Sequence, residues 1–355
     1  MENAFANRLQ SARKMAGLSL QSLADKLGNV VTKQALNKYE QGKMKPDSTG
    51  LIALANALQV PVDYFYANPS VIQLTQIDFR KYSTKISNTL EESIKEKVKY
   101  QCERYFELED LLALDEKSDY FIYSGIVKDE QDAEEAAKAL RKQWNLGEDP
   151  IPDVVELLED KGYKVVEINS PDGFDGMKAN AGDRKVIALP KLEGEDIDIV
   201  RRRFTALHEL AHHALTFAED LLEKFIERLC HVFASAVLYP AEKALKELHH
   251  SRFHFYVNEL VLLKERWGIS FPAIMQRAAR LGIVDKNLIT RFSIAYNKRG
   301  YRKNEPGRFS SKEKPNRLER LVYLALAKEV ISLNEAAYFM DTTAWKIRAN
   351  MNLMV

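Results

Sequence analysis

Apolar residues recur every three or four positions through most of the chain, which is the spacing of amphipathic α-helices. Over residues 17–65, short polar turns interrupt this pattern, so it predicts four or five short helices. Ser19 is placed to cap a helix that Gly28 can close, and Thr32 to cap a second helix that runs to about Tyr39. Two short helices joined by a tight turn are typical of a helix-turn-helix.

A longer pattern without interruption follows. From about Lys81 to Leu112 the apolar spacing predicts one long amphipathic helix. Such a helix can pack against the next domain or serve as a dimerising arm, and packing is the favoured interpretation. Residues 113–131 are expected to lead into a further helix at about Asp132–Trp144.

The pattern changes between residues 151 and 190. A helix is predicted at Ile151–Gly162, and the segments KVVEIN, GMKANAG and RKVIALP that follow are short and separated by turn residues. They predict a small antiparallel sheet, with helices resuming after it. The expected fold class is therefore α+β and mainly α.

The C-terminal part begins with a stretch rich in basic residues, Arg291–Arg320, which is expected to be extended or loop-rich. After a helical segment, ISLNEAAYFMDTTAWKIRANM resembles a second short helix-turn-helix. Its expected caps are Ser332 and either Asp341 or Thr342, and Trp345 and Ile347 are expected to pack inward. A role in packing is favoured over DNA contact for this segment.

Composition adds few constraints. With 355 residues, of which 46% are apolar, the chain is long enough for two or three domains with sizeable cores. No stretch approaches the roughly 20 apolar residues that cross a bilayer, and the charged N-terminus does not fit a signal peptide, so a cytoplasmic protein with no membrane contact is expected. The two cysteines, Cys102 and Cys230, are expected to be reduced.

The net charge of +1 hides an uneven distribution. Residues 1–66 carry 8 Lys/Arg against 5 Asp/Glu, residues 291–355 carry 13 against 6, and the middle carries 31 against 40. Basic ends around an acidic middle suggest contact with a polyanion, although a solvated surface has the same appearance.

The segment RFTALHELAHHAL carries the clearest chemistry. His208 and His212 are four residues apart on a predicted helix, so both imidazoles lie on one face and can share a metal ion. Glu209 lies about 100° around the helix from His208. Together they form His-Glu-x-x-His, in which two histidines bind zinc and the glutamate serves as general base. His213 is expected to be a surface or packing residue.

The third protein ligand of such a zinc must come from elsewhere. Leu215 and Ala218 stand where an extended motif would need glycine and histidine, which excludes that extension. On the next predicted helix, Glu227 and His231 are again four residues apart, and either can be the ligand. His231 and Tyr239 are candidate donors to the oxyanion of a peptidase reaction. An exposed edge among the strands of residues 163–190 is expected to hold a substrate segment as an added strand.

Residues 5–66 resemble the lambda-repressor-like (XRE) helix-turn-helix family. The matching motifs are LxxLA at Leu20–Ala24, the run KQALNKYE at Lys33–Glu40, the turn at Gly42–Pro46 and LxxLAxxLxV ending at Val60. The second helix then enters the major groove of an operator in double-stranded DNA and presents its outward side chains to base edges. The candidate DNA-binding residues are Gln21, Lys33, Gln34, Asn37 and Lys38.

Residues 79–283 resemble the ImmA/IrrE family of zinc metallopeptidases, in which an XRE domain in front of the peptidase is a known arrangement. The matching features are FRK at Phe79–Lys81, the helix around HELAH, E-x-x-x-x-x-F-A at Glu227–Ala234, L-x-P at Leu238–Pro240 and the segment ELVLLKERWGISFPAIMQRAARLGI. The resemblance implies that His208, His212 and Glu227 bind Zn²⁺ and that Glu209 is the general base. The family usually has Asn or Asp in place of His231 and Ala in place of Cys230.

These patterns divide the chain into an XRE-type domain (1–68), a helical connector (69–130), a zincin-like metallopeptidase domain (131–290) and a basic, helical C-terminal region (291–355). We therefore expect a DNA-binding regulator that cleaves a specific protein, such as a repressor-like partner or itself, in a stress or mobile-element response. The alternative is a regulator or antitoxin-like protein that uses the peptidase fold as a sensor or interaction surface without turnover. A homodimer is compatible with either.

Overall fold

The computed structural model of the protein describes residues 4–28, 30–67, 72–81, 87–114, 117–169, 174–191, 198–249 and 251–351. Within these ranges the chain forms an N-terminal helical bundle, a small sheet with helices on both faces, and a C-terminal group of helices. This confirms the expected α+β, mainly α fold class. No helix among the described residues combines the length and apolar character that crossing a bilayer requires.

The N-terminal bundle folds as the sequence predicts. Its elements are α1 (Ala4–Met15), α2 (Leu20–Lys26), α3 (Lys33–Glu40), α4 (Ser48–Leu58) and a 3-10 helix (Val62–Phe65). Ser19 Oγ accepts a hydrogen bond from the amide of Ser22 at 3.0 Å, and Thr32 Oγ1 accepts one from Ala35 at 3.2 Å, so both predicted caps are confirmed. Gly28 ends α2 with φ +61°, a conformation that glycine adopts without steric cost.

The region between this bundle and the peptidase motifs differs from the prediction. Residues 74–81 form strand β1 (Leu74–Lys81), and the long helix α5 (Asn88–Leu111) begins later than predicted, after its cap Ser87. The sequence LTQIDFRK has little alternation, and its strand conformation comes from hydrogen bonds to a distant partner strand. The predicted domain boundary between residues 68 and 69 lies outside the described residues.

The sheet contains β1 and three further strands, β3 (Lys164–Ile168), β4 (Phe174–Ala181) and β5 (Arg184–Pro190); β2 (Ile126–Val127) and β6 (Thr216–Phe217) form a separate parallel pair. The strand order is β1-β4-β5-β3. β1, β4 and β5 are antiparallel, but β3 and β5 are parallel, so the prediction of a purely antiparallel sheet was wrong. The order places β3 beside β5 instead of β4, and turn residues in the sequence do not determine strand order.

Eight helices complete this part of the described chain. They are α6 (Glu130–Gln143), α7 (Val154–Asp160), α8 (Ile199–Ala214), α9 (Glu223–Leu238), α10 (Ala241–Leu248), α11 (Val257–Trp267), α12 (Phe271–Arg280) and α13 (Lys286–Lys298). The sheet separates two apolar cores: Ile187 and Leu189 face α8 and α9, whereas Val186 and Ala188 face α5. The packing role expected for the long helix is therefore confirmed. Cys102 and Cys230 are buried and not disulfide-bonded, as expected.

The C-terminal region contains α14 (Arg317–Ala327), α15 (Leu333–Phe339) and α16 (Ala344–Asn350). Because α13 continues to Lys298, the irregular basic stretch is shorter than predicted. Ser332 caps α15 as expected, but the cap of α16 is Thr343, not Asp341 or Thr342. With the helix starting there, Ile347 points inward and is 2% exposed, while Trp345 is 75% exposed, so its expected inward packing was wrong.

Candidate metal centre and nucleic-acid interface

The helix α8 carries the His-Glu-x-x-His motif across the sheet. Its apolar side chains, including Ala206, Leu207 and Leu210, are buried in the core beneath β5 and α9. Asp198 caps its first turn by accepting a hydrogen bond from the amide of Arg201 at 3.0 Å. The buried face fixes the rotation of the helix, and His208 and Glu209 are consequently almost inaccessible to solvent.

Three side chains meet between α8 and α9. His208 Nε2 and His212 Nε2 lie 3.1 Å apart. Glu227 on α9 completes the group, with its two carboxylate oxygens 3.2 Å from His208 Nε2 and 3.1 Å from His212 Nε2. The two helices thus bring the two imidazoles of α8 together with one carboxylate from α9.

These distances fit a tetrahedral metal. In a zinc site with bonds of about 2.0–2.1 Å, ligand atoms lie about 3.3–3.4 Å from one another. The separations of 3.1–3.2 Å here are close to that value. Among the described residues, His208, His212 and Glu227 form a group whose ligand atoms all lie within 4.8 Å of one another. Two histidines and a carboxylate are also a donor set that zinc favours.

The electrostatics of this group favour a positive charge between the ligand atoms. Burial lowers the pKa of His212, but hydrogen bonds with Cys230 and Glu227 outweigh that effect and raise the pKa to about 11. Burial raises the pKa of Glu227, but hydrogen bonds with His208 and His212 outweigh it and hold that pKa well below its usual range. A cation at this position, whether a proton or a metal ion, is therefore stabilised by the ionised carboxylate.

The group has a fourth residue that the sequence motifs do not predict. Asp78 Oδ2, on β1, lies 3.4 Å from His212 Nδ1, the ring nitrogen that faces away from Glu227. A carboxylate in this position fixes the orientation of a metal-binding imidazole and makes it a stronger ligand. The only signal in the sequence was the position of Asp78 just before the family motif at Phe79–Lys81, which forms the end of β1.

Glu209 is held against the sheet by a glycine. A Cβ atom on Gly176 of β4 would lie 2.9 Å from Glu209 Oε1 and 2.9 Å from Thr205 Cγ2. The absence of a side chain therefore lets β4 approach α8 closely enough to enclose the carboxylate of Glu209. Glu209 is also near enough for its charge to contribute to the raised pKa of His212.

The other two predicted site residues, His231 and Tyr239, lie in different places relative to the three candidate ligands. His231 lies one turn after Glu227 on α9, and its ring centroid is 4.9 Å from that of His208. Tyr239, at the end of α9, is fully buried, donates its hydroxyl to Glu247 at 3.1 Å and packs on Trp267. Its hydroxyl is thus engaged away from the three ligands.

His213 faces away from the centre, as expected. Its Nε2 lies 3.0 Å from the carbonyl oxygen of Val186, and its ring packs against Tyr163. Burial lowers the pKa of His213 to about 3, so this imidazole is neutral and has a packing role.

The first turns of α8 are attached to the C-terminal region. Arg203 is buried, donates to the carbonyl of Ile151 at 2.6 Å and pairs with the buried carboxylate of Glu313. Glu313 also accepts hydrogen bonds from the amides of Val154 and Val155 at the start of α7. This anchor fixes α8 from the side opposite the histidines, and no local pattern in the sequence predicts it.

A large cleft opens beside the centre. Its volume is about 2020 Å³, and it lies between α8, α9 and the chain around residues 301–314. Phe204 and His231 form part of its wall, so it reaches the neighbourhood of His208. A cleft larger than the roughly 300–1,000 Å³ typical of small-ligand pockets has room for a polypeptide segment.

The candidate DNA-facing residues lie together on the N-terminal bundle. On α3, Leu36 and Tyr39 are buried, and the opposite face carries the exposed side chains of Lys33, Gln34, Asn37 and Lys38. Gln21 on α2 is also exposed and donates a hydrogen bond to Asp25 at 2.9 Å. The structure therefore presents four of these polar residues on one helix face, with the fifth on the preceding helix.

Comparison with known families identifies the two domains. Residues 9–65 match a family described as helix-turn-helix, and residues 163–279 match a peptidase family described as IrrE N-terminal-like domain. The chain thus contains a helix-turn-helix domain followed by an IrrE N-terminal-like domain, which confirms both resemblances found in the sequence.

Two curated relatives from Bacillus subtilis (strain 168) are similar to part of the chain. "Uncharacterized HTH-type transcriptional regulator YqaE" is 36% identical over 77 residues, which are 22% of this chain and 65% of the relative. "SPbeta prophage-derived uncharacterized HTH-type transcriptional regulator YonR" is 43% identical over 60 residues, which are 17% of this chain and 54% of the relative. The chain thus covers less than two thirds of the length of either relative.

Proposed function

We propose that this protein is a DNA-binding transcriptional regulator with a zinc-dependent endopeptidase domain, which cleaves a specific protein such as a repressor-like partner or the chain itself. The observation that carries the proposal is the grouping of His208, His212 and Glu227 at the separations of a tetrahedral zinc site, next to a buried Glu209. The carboxylate of Glu227 favours a cation between the two imidazoles, and a metal ion provides that charge.

The proposed chemistry assigns a separate task to each residue. His208, His212 and Glu227 would hold the metal, and Asp78 would orient His212. When bound, zinc would act as a Lewis acid on a peptide carbonyl and increase the acidity of a water molecule. Glu209 accepts a proton from the water that attacks the carbonyl carbon. As the C–N bond breaks, Glu209 donates that proton to the leaving amine.

His231 is our candidate for stabilising the oxyanion that forms during this attack. It lies beside His208 and on the wall of the cleft, where a donor to the developing charge is needed. Tyr239, the other candidate in the sequence, is less suitable because its hydroxyl donates to Glu247. The sheet has two edge strands, β1 and β3. β3 lies within the range predicted for substrate binding but is mostly buried, so β1, which carries Asp78, is the better candidate for holding the substrate.

The regulatory part of the proposal rests on the helix-turn-helix domain. The exposed Gln34 and Asn37 can each make two hydrogen bonds to an adenine in the major groove, and Lys33 and Lys38 suit guanine or phosphate. Both relatives carry the description HTH-type transcriptional regulator, which supports the same role for this chain.

The decisive experiment is incubation of the purified protein with the product of the neighbouring gene, tested as a candidate repressor-like protein substrate, with and without a metal chelator. We expect cleavage that the chelator prevents and that Glu209→Gln abolishes while about one zinc per chain remains bound. Cleavage by Glu209→Gln at the wild-type rate would rule out Glu209 as the base. Zinc and DNA binding without any cleavage would favour the alternative, a regulator that uses this domain as a sensor.

DNA binding is tested separately with Gln34→Ala combined with Asn37→Ala. Two lost base contacts at about 1–3 kcal/mol each should lower operator affinity at least tenfold. Gln10→Ala combined with Asn56→Ala removes the same side chains from exposed positions on α1 and α4 and is the matched control. Equal affinities for the two double variants would contradict the assignment of α3.

A further inference from the structure

The C-terminal helices carry a surface that neither the metal centre nor α3 uses. Trp345 on α16 is 75% exposed, whereas the other two tryptophans, Trp144 and Trp267, are buried. Leaving an indole in water costs free energy in proportion to its apolar area, and tryptophan is enriched where proteins bind partners, so this face is a candidate binding surface.

The local structure determines which side chains face outward. Ser332 forms a capping box with Glu335 at the start of α15, and a short turn leads to α16. Phe339 and Ile347 are buried between the helices. Because Ile347 points inward, Trp345 and Arg348, three residues apart, share the outer face. The arrangement repeats that of α2 and α3, a seven-residue helix followed by a short helix with an exposed polar face.

The charge on this surface points to a polyanion. Lys346 and Arg348 are exposed, and residues 342–351 contain no acidic residue. The acidic residue that precedes them, Asp341, lies 3.5 Å from Arg104 on α5, so its charge is partly balanced there. Basic side chains next to an aromatic ring suit DNA, where the cations contact phosphates and the ring contacts sugars or base edges.

The position of the C-terminal helices places this surface near the N-terminal domain. Tyr100 on α5 packs on Tyr64 of the N-terminal bundle, with ring centroids 5.3 Å apart. Arg104, one turn further along α5, stacks over Tyr100 at 4.5 Å and donates to the carbonyl oxygen of Tyr338 on α15 at 2.9 Å. A single turn of α5 therefore joins both helix-turn-helix units.

We propose that α16 is a second DNA-contacting helix, which binds the backbone of duplex DNA next to the segment held by the N-terminal helix-turn-helix. The two units on α5 would then cover a longer stretch of DNA per chain than α3 alone. This inference rests on the proposed DNA-binding function but depends on different residues.

The first test measures DNA affinity of the full-length protein as a function of salt. Lys346→Ala combined with Arg348→Ala should weaken binding to operator and to unrelated duplexes by a similar factor. It should also lower the slope of log affinity against log salt by about 2, because two phosphate contacts are lost. Lys298→Ala combined with Arg299→Ala removes the same charge from exposed positions at the end of α13 and is the matched control. An unchanged affinity and slope in the α16 variant would overturn the proposal.

The second test uses the exposure of Trp345. Quenching of tryptophan fluorescence by acrylamide should come mainly from this residue, and Trp345→Ala should remove most of it. Duplex DNA should protect Trp345 from the quencher in the wild type. Protection by the repressor-like protein but not by DNA would identify a protein-docking surface instead and would also overturn the proposal.

The two DNA-binding proposals fail in different ways. If Gln34→Ala with Asn37→Ala retains full binding that Lys346→Ala with Arg348→Ala removes, the assignment of α3 fails and that of α16 stands. If only the α3 variant loses binding, the proposal for α16 is wrong. If the wild type binds no duplex of any sequence, both are wrong.

Discussion

The helix-turn-helix domain and the candidate metal centre differ in how their candidate functional residues are brought together. The four polar residues of α3 lie within six consecutive positions, on the exposed face of a helix whose other face is buried. The candidate metal centre combines Asp78 from a strand, two histidines from α8 and Glu227 from α9; the histidines are shielded from solvent, and the two carboxylates are partly exposed. The candidate DNA site of α3 is therefore complete within one helix, whereas the metal site forms only when the domain is folded.

This difference has consequences for mutations. A substitution on the exposed face of α3 removes one contact to a ligand and leaves the packing of the bundle unchanged. A substitution near α8 changes the position of side chains that contact one another. Its effect therefore extends beyond the altered side chain. Variants of α3 and of the α8 region should therefore differ in how far their effects extend.

The largest effect is expected for His208→Ala combined with His212→Ala. Zinc content should fall from about one ion per chain to a trace, because a single carboxylate cannot retain the metal. Operator affinity should stay within about twofold of wild type, since no residue of α3 is involved. Metal analysis and fluorescence anisotropy with labelled DNA measure the two quantities on the same sample.

His213→Gln is the matched control for this variant. It replaces the neighbouring histidine, which contacts Val186 and not the ligand group, so zinc content should be retained. A tenfold loss of operator affinity in the double variant but not in the control would mean that the two regions are coupled. DNA binding by α3 would then depend on the metal site.

The second largest effect, a loss of substrate cleavage, is expected for Gly176→Ala. The new methyl group would overlap Glu209 Oε1 and Thr205 Cγ2, each at 2.9 Å, and would displace the carboxylate that we propose as the general base. A shift on the order of 1 Å can reduce turnover about a hundredfold, and the zinc ligands on α8 and α9 should keep their metal. The measurement is the rate of substrate cleavage per bound zinc.

A second substitution identifies the cause of this loss. Adding Thr205→Ser removes the Cγ2 methyl that the new side chain would meet and leaves the overlap with Glu209. If cleavage stays low in the Gly176→Ala, Thr205→Ser double variant, the position of Glu209 is responsible. If cleavage returns, the strain lies at Thr205 and Glu209 is not displaced.

Asp78→Asn should have a smaller effect, a loss of zinc affinity on the order of tenfold to a hundredfold. The amide keeps the shape of the carboxylate but cannot provide the negative charge near His212 Nδ1. Competition with a chromophoric chelator measures the affinity. Asp175→Asn, which changes an aspartate of the same sheet that pairs with Arg201, is the control and should bind zinc as wild type does.

The same contrast explains which features the sequence predicts. The caps at Ser19 and Thr32 act over three residues, and the spacing of His208 and His212 depends only on helix geometry, so both were visible in the sequence. The strand at β1 depends on a partner about a hundred residues away, and the parallel pairing of β3 depends on strand order. Asp78 and Gly176 acquire their roles through these tertiary contacts and could not be identified from local patterns.

The smallest effect is expected when a helix cap is removed. This change can be made in both regions, so it compares them directly. Thr32→Ala removes the hydrogen bond that begins α3, and Asp198→Ala removes the corresponding bond at the start of α8. Each cap stabilises its helix by about 1 kcal/mol when the helix end has no other support. Native-state hydrogen exchange of the amides in the first turn of each helix measures the loss.

We expect nearly the full loss in α3 and a smaller one in α8. Outside its cap, α3 is held by the buried Leu36 and Tyr39 and by the pairing of Glu40 with Arg13 at its other end, and none of its first three residues is buried. The start of α8 is also held by the bonds of Arg202 to Pro190 at 2.6 Å and of Arg203 to Ile151 at 2.6 Å, which persist without the cap. Equal losses would mean that these arginines do not secure the helix. The start of α8 would then depend on its cap as much as the start of α3 does.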